Sequence, residues 1–147
     1  MLVRCLYASR AAQSPMSKLV DAVLKASREN NPGKGITGFL CVSGDIFIQV
    51  LEGGRDEVCE LFNAIVRDPR HANIRLLAYE EIGQRKFGSW TMGQVDLTKV
   101  NAGLLLKYHE KADLDPFSCS GHATMALLDE LVATASIAGR SISPTQN

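Results

Sequence analysis

Along the N-terminal two thirds of the chain, short apolar runs alternate with stripes of helical spacing. Leu2 to Ala8 is a nearly continuous apolar run that ends at Ser9 and Arg10, the length and composition of a buried strand. Ser14-Pro15 then offers an N-cap followed by proline at the first helical position. Met16, Leu19, Val20, Val23 and Leu24 recur at the spacing of an amphipathic helix, which Asn30-Asn31-Pro32-Gly33 terminates. Ile36 to Val42 and Ile46 to Leu51 flank Ser43-Gly44-Asp45, so an antiparallel hairpin is expected. Val58, Leu61, Phe62, Ile65 and Val66 predict a second helix that Asp68-Pro69 stops. Ile74 to Ile82 reads as a fourth strand, and Trp90 to Val95 as a short fifth.

The last third changes character. Asp96 is a candidate cap for a helix through about Lys111, Asp113-Leu114-Asp115-Pro116 a turn, and Ser120 a cap for a helix from His122 to about Ala138. Leu104, Leu105, Tyr108, Leu127, Leu128, Leu131 and Val132 on this helical hairpin need a surface to cover, and one face of the sheet is available. The order β-α-β-β-α-β-β predicts an α+β fold, a ferredoxin-like split sheet with two helices on one face and the C-terminal hairpin on the other. Residues 1–95 form the first part of this plan, 96–140 a helical extension of the same globular unit, and 141–147 a tail expected to be disordered.

Composition narrows the classes of function. A chain of 147 residues that is 46% hydrophobic and 22% charged has the make-up of one ordinary globular domain. Sixteen basic residues offset 16 acidic ones, which leaves no charge excess for holding a nucleic acid. The N-terminal run is too short for a secretory signal, and no stretch reaches the roughly 20 apolar residues of a membrane span. A cytoplasmic protein is expected. Cys5, Cys41, Cys59 and Cys119 form no C-x-x-C pair, and three of them sit in apolar runs, so buried reduced thiols are expected.

Familiar catalytic patterns fail on context. Gly33-Lys34-Gly35-Ile36-Thr37-Gly38 spells G-x-G-x-x-G but follows a helix and opens a strand, the reverse of a dinucleotide fingerprint. Cys119 and His122 are two metal ligands where a zinc site needs three or four, so no metal is expected. No Ser or Cys stands in a nucleophile elbow. More informative are polar groups on apolar strands. Tyr7 shares a strand face with Val3 and Cys5, which carries its hydroxyl inward, and Gln49 interrupts Ile46-Phe47-Ile48-Gln49-Val50-Leu51. Both need partners. Either they satisfy each other and the backbone, or, with Asn31 at the end of the first helix, they face a planar heteroaromatic ligand rich in acceptors.

Leu2-Val3-Arg4-Cys5-Leu6-Tyr7-Ala8-Ser9, Asn30-Asn31, Gly35-Ile36-Thr37-Gly38, Phe47-Ile48-Gln49-Val50-Leu51-Glu52-Gly53, Asp68-Pro69-Arg70-His71 and Phe87-Gly88-Ser89-Trp90-Thr91-Met92-Gly93 together resemble the blue-light sensors using FAD, the BLUF family. The resemblance spans about residues 1 to 95. It implies noncovalent FAD with its ring between the two helices. Tyr7 would donate an electron and a proton to the excited flavin, Gln49 would bridge Tyr7 and the flavin edge, and Asn31 would hold the pyrimidine side. Trp90 and Met92 would lie near Gln49 and couple it to the fifth strand, with Ser9, Asn30 and Ile65 also lining the pocket. The implied activity is a light-driven hydrogen-bond switch without substrate turnover.

Two features depart from the pattern. Ala64 stands where the family often carries Arg, so that polar flavin contact is either missing or supplied by Arg67. No catalytic output domain is recognised beyond Val95, so the resemblance implies output through the C-terminal helices to an unidentified protein partner, with a homodimer permitted by the neutral composition. The competing reading is a small ferredoxin-like enzyme of acylphosphatase type, with Arg10 and Asn31 as its phosphate-binding pair. A third is a ligand-binding module without photochemistry.

Overall fold

A computed structural model describes residues 1–12, 15–97 and 100–134. Its elements are β1 (Leu2–Ala11), α1 (Met16–Asn30), a 3-10 turn (Pro32–Lys34), β2 (Thr37–Ser43), β3 (Ile46–Gly54), α2 (Arg55–Arg67), β4 (His71–Ile82), β5 (Thr91–Asp96), α3 (Ala102–Tyr108) and α4 (Gly121–Thr134). The strands form one sheet in the order β4-β1-β3-β2-β5. Every neighbouring pair is antiparallel except β2 and β5, which run parallel. The ferredoxin-like split sheet is therefore present, extended by one strand.

Side chains alternate across a sheet, and here both faces are covered, which is why the strands read as nearly unbroken apolar runs. Val3, Cys5, Tyr7, Leu40, Phe47 and Leu51 face α1 and α2, packing on Leu19, Val20, Leu24 and Val58. Leu6, Ala8, Phe39, Cys41, Ile48 and Val50 face the other way, toward Phe87, Trp90 and the α4 residues Leu127, Leu128 and Leu131. The C-terminal helices thus cover the second face, as their apolar positions predict. Gly121 permits this approach, because a Cβ there would stand 2.2 Å from the carbonyl oxygen of Leu77 on β4.

Several boundaries differ from the sequence reading, each for a local reason. β1 continues through Ser9 and Arg10 because both pair with β3 and each finds a polar partner, His71 for Ser9 and Asp45 for Arg10. Pro15 is itself the N-cap of α1, one position before the first helical residue, and Ser14 lies outside the described residues. Asp96 belongs to β5. The helix expected from there begins after Asn101, whose Oδ1 accepts from the Leu104 amide at 2.8 Å, and it stops at Tyr108 where His109 turns extended. Ser120 does cap α4, accepting from the Ala123 amide at 3.0 Å. The expected end at Ala138 and the tail 141–147 lie outside the described residues. Of the cysteines, Cys5 and Cys41 are buried while Cys59 and Cys119 are only partly covered, and all four thiols are free.

One buried carboxylate ties the sheet to the connection between β4 and β5. Glu52 is 0% exposed and stands opposite Arg4, itself 6% exposed. It accepts from Arg4 Nε and Nη2, both at 2.7 Å, from the Phe87 amide at 2.8 Å and from the Lys86 amide at 3.1 Å. Arg85 adds hydrogen bonds to the Glu52 carbonyl at 3.1 Å and to Thr37 Oγ1 at 2.9 Å. The loop so held delivers β5 beside β2, where the Gly38 amide meets the Trp90 carbonyl at 2.9 Å. Gly38 has a φ of 151°, and a Cβ there would lie 1.9 Å from the Val50 carbonyl oxygen, so no side chain fits.

Removing one member of a buried, hydrogen-bonded ion pair strands the other charge. Glu52→Ala should therefore destabilise the protein by about 3–5 kcal/mol in denaturant titration. Glu80→Ala, which removes an exposed partner of the same arginine, should cost under about 1 kcal/mol.

Candidate functional site

Tyr7 and Gln49 are direct cross-strand partners, and both side chains rise on the α1/α2 face. They are 1% and 2% exposed. The Tyr7 hydroxyl donates to Gln49 Oε1, and Gln49 Nε2 donates to Met92 Sδ at 3.1 Å. The amide orientation follows from its neighbours, since a phenol donates and a thioether only accepts. Reversing it would set the carbonyl oxygen against the sulfur. Burial pushes the Tyr7 phenol well above its ordinary pKa, with Cys5 and Asp68 adding to the effect, so it remains a proton donor.

Met92 reaches Gln49 through an irregularity in β5. Gly38 pairs with Thr91 and Phe39 with Gly93, so Met92 is the extra residue of a bulge, with a φ of 56°. That left-handed conformation costs a non-glycine residue about 1–2 kcal/mol and persists where neighbours enforce it. The bulge also breaks the two-residue period, which corrects the expectation for Trp90. That ring lies on the opposite face, its centroid 5.7 Å from Phe39 and 6.3 Å from Phe87, remote from the Tyr7 side of the sheet.

Above the Tyr7-Gln49 pair, α1 and α2 stand apart and enclose a cleft. Val23, Ala26, Ser27 and Asn30 form one wall, while Leu61, Ala64 and Ile65 form the other. Asn31, Lys34, Asp68, Arg70 and His71 complete the lining. Asn31 is 3% exposed, and its Nδ2 has no hydrogen-bond partner. Its carbonyl accepts from the amides of Lys34 and Ile36, both at 3.0 Å, so the backbone turn anchors the residue while the side-chain amide is spare. A buried donor without an acceptor is costly, and a ligand carbonyl would satisfy it.

The remaining lining is organised by short polar contacts. Ser9 is buried behind the cleft and bonds His71 Nδ1 through its Oγ at 2.8 Å. Burial holds the His71 pKa below its ordinary value despite the opposing effect of Asp68. The Asp68 carboxyl is held low chiefly by its hydrogen bonds to Arg70, including Nη2 at 2.7 Å. Ala64 leaves its position on the wall without a charge, and Lys34 and Arg70, rather than Arg67, bring cations to the cleft.

The structure thus gathers Tyr7, Gln49, Asn30, Asn31 and Ile65 around one cleft, with Met92 beneath it and Ser9 supporting His71. Val23, Ser27 and Leu61 escaped the sequence reading as lining residues. Val23 and Leu61 look like core positions in the stripes of α1 and α2. Ser27 carries its own clue, lying four residues after Val23 and three before Asn30 on the same helix face. Arg10 and Asn31 do not meet. Arg10 pairs with Asp45 at 3.0 Å and stacks over Phe117 on the opposite face, which dissolves the phosphate-binding alternative built on them. Among the described residues no three His, Cys, Asp or Glu side chains are grouped to hold a metal ion, and no helix is long and apolar enough to cross a membrane.

A slot between two helices, walled by small and aliphatic side chains, floored by a phenol and an amide and holding one spare buried donor, fits a planar heteroaromatic group with carbonyl acceptors. Comparison with known proteins identifies the class. The family of sensors of blue light using FAD, BLUF, matches residues 2–93. The chain belongs to this family. It is 30% identical over 114 residues to the blue light- and temperature-regulated antirepressor BluF of Escherichia coli (strain K12), covering 78% of this chain and 26% of that protein. Over 88 residues it is 34% identical to photoactivated adenylate cyclase subunit beta of Euglena gracilis, covering 58% of this chain and 10% of the cyclase. The chain thus spans about a quarter or less of these curated relatives. Among solved structures, BlsA in its photo-activated state superposes with a TM-score of 0.83 at 28% identity, covering 92% of this chain and 98% of that one. BlrB, a BLUF protein in its dark state, gives 0.74 at 33% identity, covering 90% and 95%. FAD is the cofactor that defines the family.

Two outcomes follow. Asn31→Ala, which deletes the spare donor, should weaken FAD binding roughly 5- to 30-fold by fluorescence titration, the loss of one or two hydrogen bonds. For His71, the folded-state pKa lies below the unfolded value of about 6.5, so the unfolded chain binds the proton more readily. This contribution to stability is complete above pH 6.5 and is lost as the pH falls below it. Thermal melts should show the wild type losing stability over that range more steeply than His71→Gln.

Proposed function

We propose that this BLUF protein is a blue-light switch in which proton movement between Tyr7 and Gln49 changes the hold of Gln49 on Met92, and β5 passes the change to the C-terminal helices and a protein partner. The observation that carries this reading is the unbroken chain from Tyr7 hydroxyl to Gln49 Oε1 and from Gln49 Nε2 to Met92 Sδ, at the floor of the cleft.

Asn31 would hold the flavin through its spare Nδ2, with the α1 and α2 walls clasping the ring. The bound flavin supplies blue-light absorption and, once excited, an acceptor for an electron. Tyr7, withdrawn from water and protonated, is the adjacent phenol able to give that electron while its proton moves to Gln49 Oε1. With its oxygen protonated, the Gln49 side chain is freed to rotate or tautomerise. Its Nε2 then leaves the Met92 sulfur, and once the electron and a proton have returned to Tyr7 the altered hydrogen-bond pattern remains, with no net turnover.

From Met92 the route outward is short. β5 carries Met92 in the core beneath α1 and Val95 in the core beneath α4, where Leu97 also packs against the same cluster. A shift of the bulge therefore reaches Leu127, Leu128 and Leu131. One relative is named an antirepressor, which supports output through contact with another protein. Four free cysteines suit a reducing compartment, and we place the protein in the cytoplasm.

An absorption spectrum in darkness, under blue light and during dark recovery tests the reading. The wild type should show a flavin spectrum with a small, reversible red shift, and Tyr7→Phe should keep the flavin and lose the shift. Retention of the full shift in Tyr7→Phe would exclude Tyr7 as donor. Hydrogen exchange should change with light across residues 100–134, and an identical pattern in both states would remove the relay.

A further inference from the structure

The left-handed Met92 must be held by something, and the structure shows what holds it. Arg28, in the last turn of α1, directs Nη2 and Nε to the Met92 carbonyl oxygen at 3.1 and 3.3 Å. This is a charge-assisted, two-pronged grip on the one residue of β5 that lacks a register partner on β2. Two different groups of Met92 are therefore engaged: its backbone by Arg28 and its thioether by Gln49.

The position of Arg28 makes the contact more than a local brace. Ser27, Asn30 and Asn31, its neighbours along the chain, line the cleft, while Arg28 itself reaches across to β5. The arginine thus closes a loop of contacts running from the cleft wall through α1 to Met92, from Met92 to Gln49, and back to the cleft floor. Its side chain comes from a residue at the protein surface, so changing it leaves the apolar core intact.

We propose that Arg28 is a positioning residue for the light switch: by fixing the Met92 carbonyl it holds the thioether where Gln49 returns to it, and so sets the rate of dark recovery. This rests on the reading above, in which the Gln49-Met92 contact is broken by light. The return of Gln49 needs its acceptor waiting in place. Without the guanidinium, the bulge is free to leave the left-handed conformation, and recovery must await its re-formation.

The test compares wild type, Arg28→Ala and Arg28→Lys, each loaded with FAD and matched for flavin content and melting temperature. Recovery after a blue flash should slow threefold or more in Arg28→Ala. Arg28→Lys, which can give the carbonyl a single cationic donor, should fall between the two. With methionine labelled at its carbonyl carbon, the light-minus-dark infrared spectrum should show a label-sensitive band that moves to higher frequency in Arg28→Ala, a signature that general loosening of the fold does not produce. Unchanged or faster recovery in Arg28→Ala beside a cycling wild type overturns the role of Arg28 alone. A wild type that binds FAD and shows no reversible shift overturns the switch itself, and this inference with it.

Discussion

Glu52 is the constraint on which the geometry of the site depends. A carboxylate with no exposure to water must have its charge matched and its lone pairs occupied, and here Arg4 and two consecutive backbone amides do so. Those amides belong to Lys86 and Phe87, in the connection that precedes β5. The ion pair therefore does more than join β1 to β3: it fixes the loop from which the last strand sets out. Only from that starting point does β5 run parallel to β2 and bring Met92 beneath Gln49.

The second constraint is that the central strands β1, β2 and β3 are buried on both sides. With neither of their faces open to water, each polar side chain on them must be satisfied internally or by a ligand. Glu52 is satisfied on the α4 face and Tyr7 with Gln49 on the α1/α2 face, whereas Asn31 retains one unmatched donor. The first arrangement is structural because it is complete. The second is open to a ligand because its two members have hydrogen-bonding capacity that a flavin can share, and the third leaves a donor that a ligand carbonyl would satisfy.

What was legible in the sequence was what period and chemistry determine locally. Apolar runs and stripes located all five strands and both cleft helices, and Tyr7 and Gln49 stood out because each broke an apolar run. Their mutual bond was one of the readings left open. The errors share a cause in contacts between distant segments. Ser9 and Arg10 looked like a turn because His71 and Asp45, which satisfy them, lie far along the chain. Asp96 looked like a cap because nothing local reveals that β2 recruits it into a strand. Trp90 and Met92 were both set beside Gln49 by the family resemblance, and a one-residue bulge sends them to opposite faces. Arg28 carried no signal at all, since an arginine in the last turn of a helix is ordinary complementarity to the helix dipole.

That bulge explains how Trp90 and Met92, two residues apart, come to lie in different halves of the molecule. A regular β5 would keep positions 90 and 92 on the same side. By inserting Met92 as an extra residue, the strand presents a thioether to Gln49 while Trp90 and Val95 remain in the core beneath α4. Gly93 makes this possible from the other side: a Cβ there would lie 2.4 Å from the Trp90 ring, so the indole folds flat over the bare backbone next to the bulge. The strained residue, the glycine and the tryptophan are one device. Its two ends face different clusters, Met92 the core beneath α1 and Trp90 the core beneath α4.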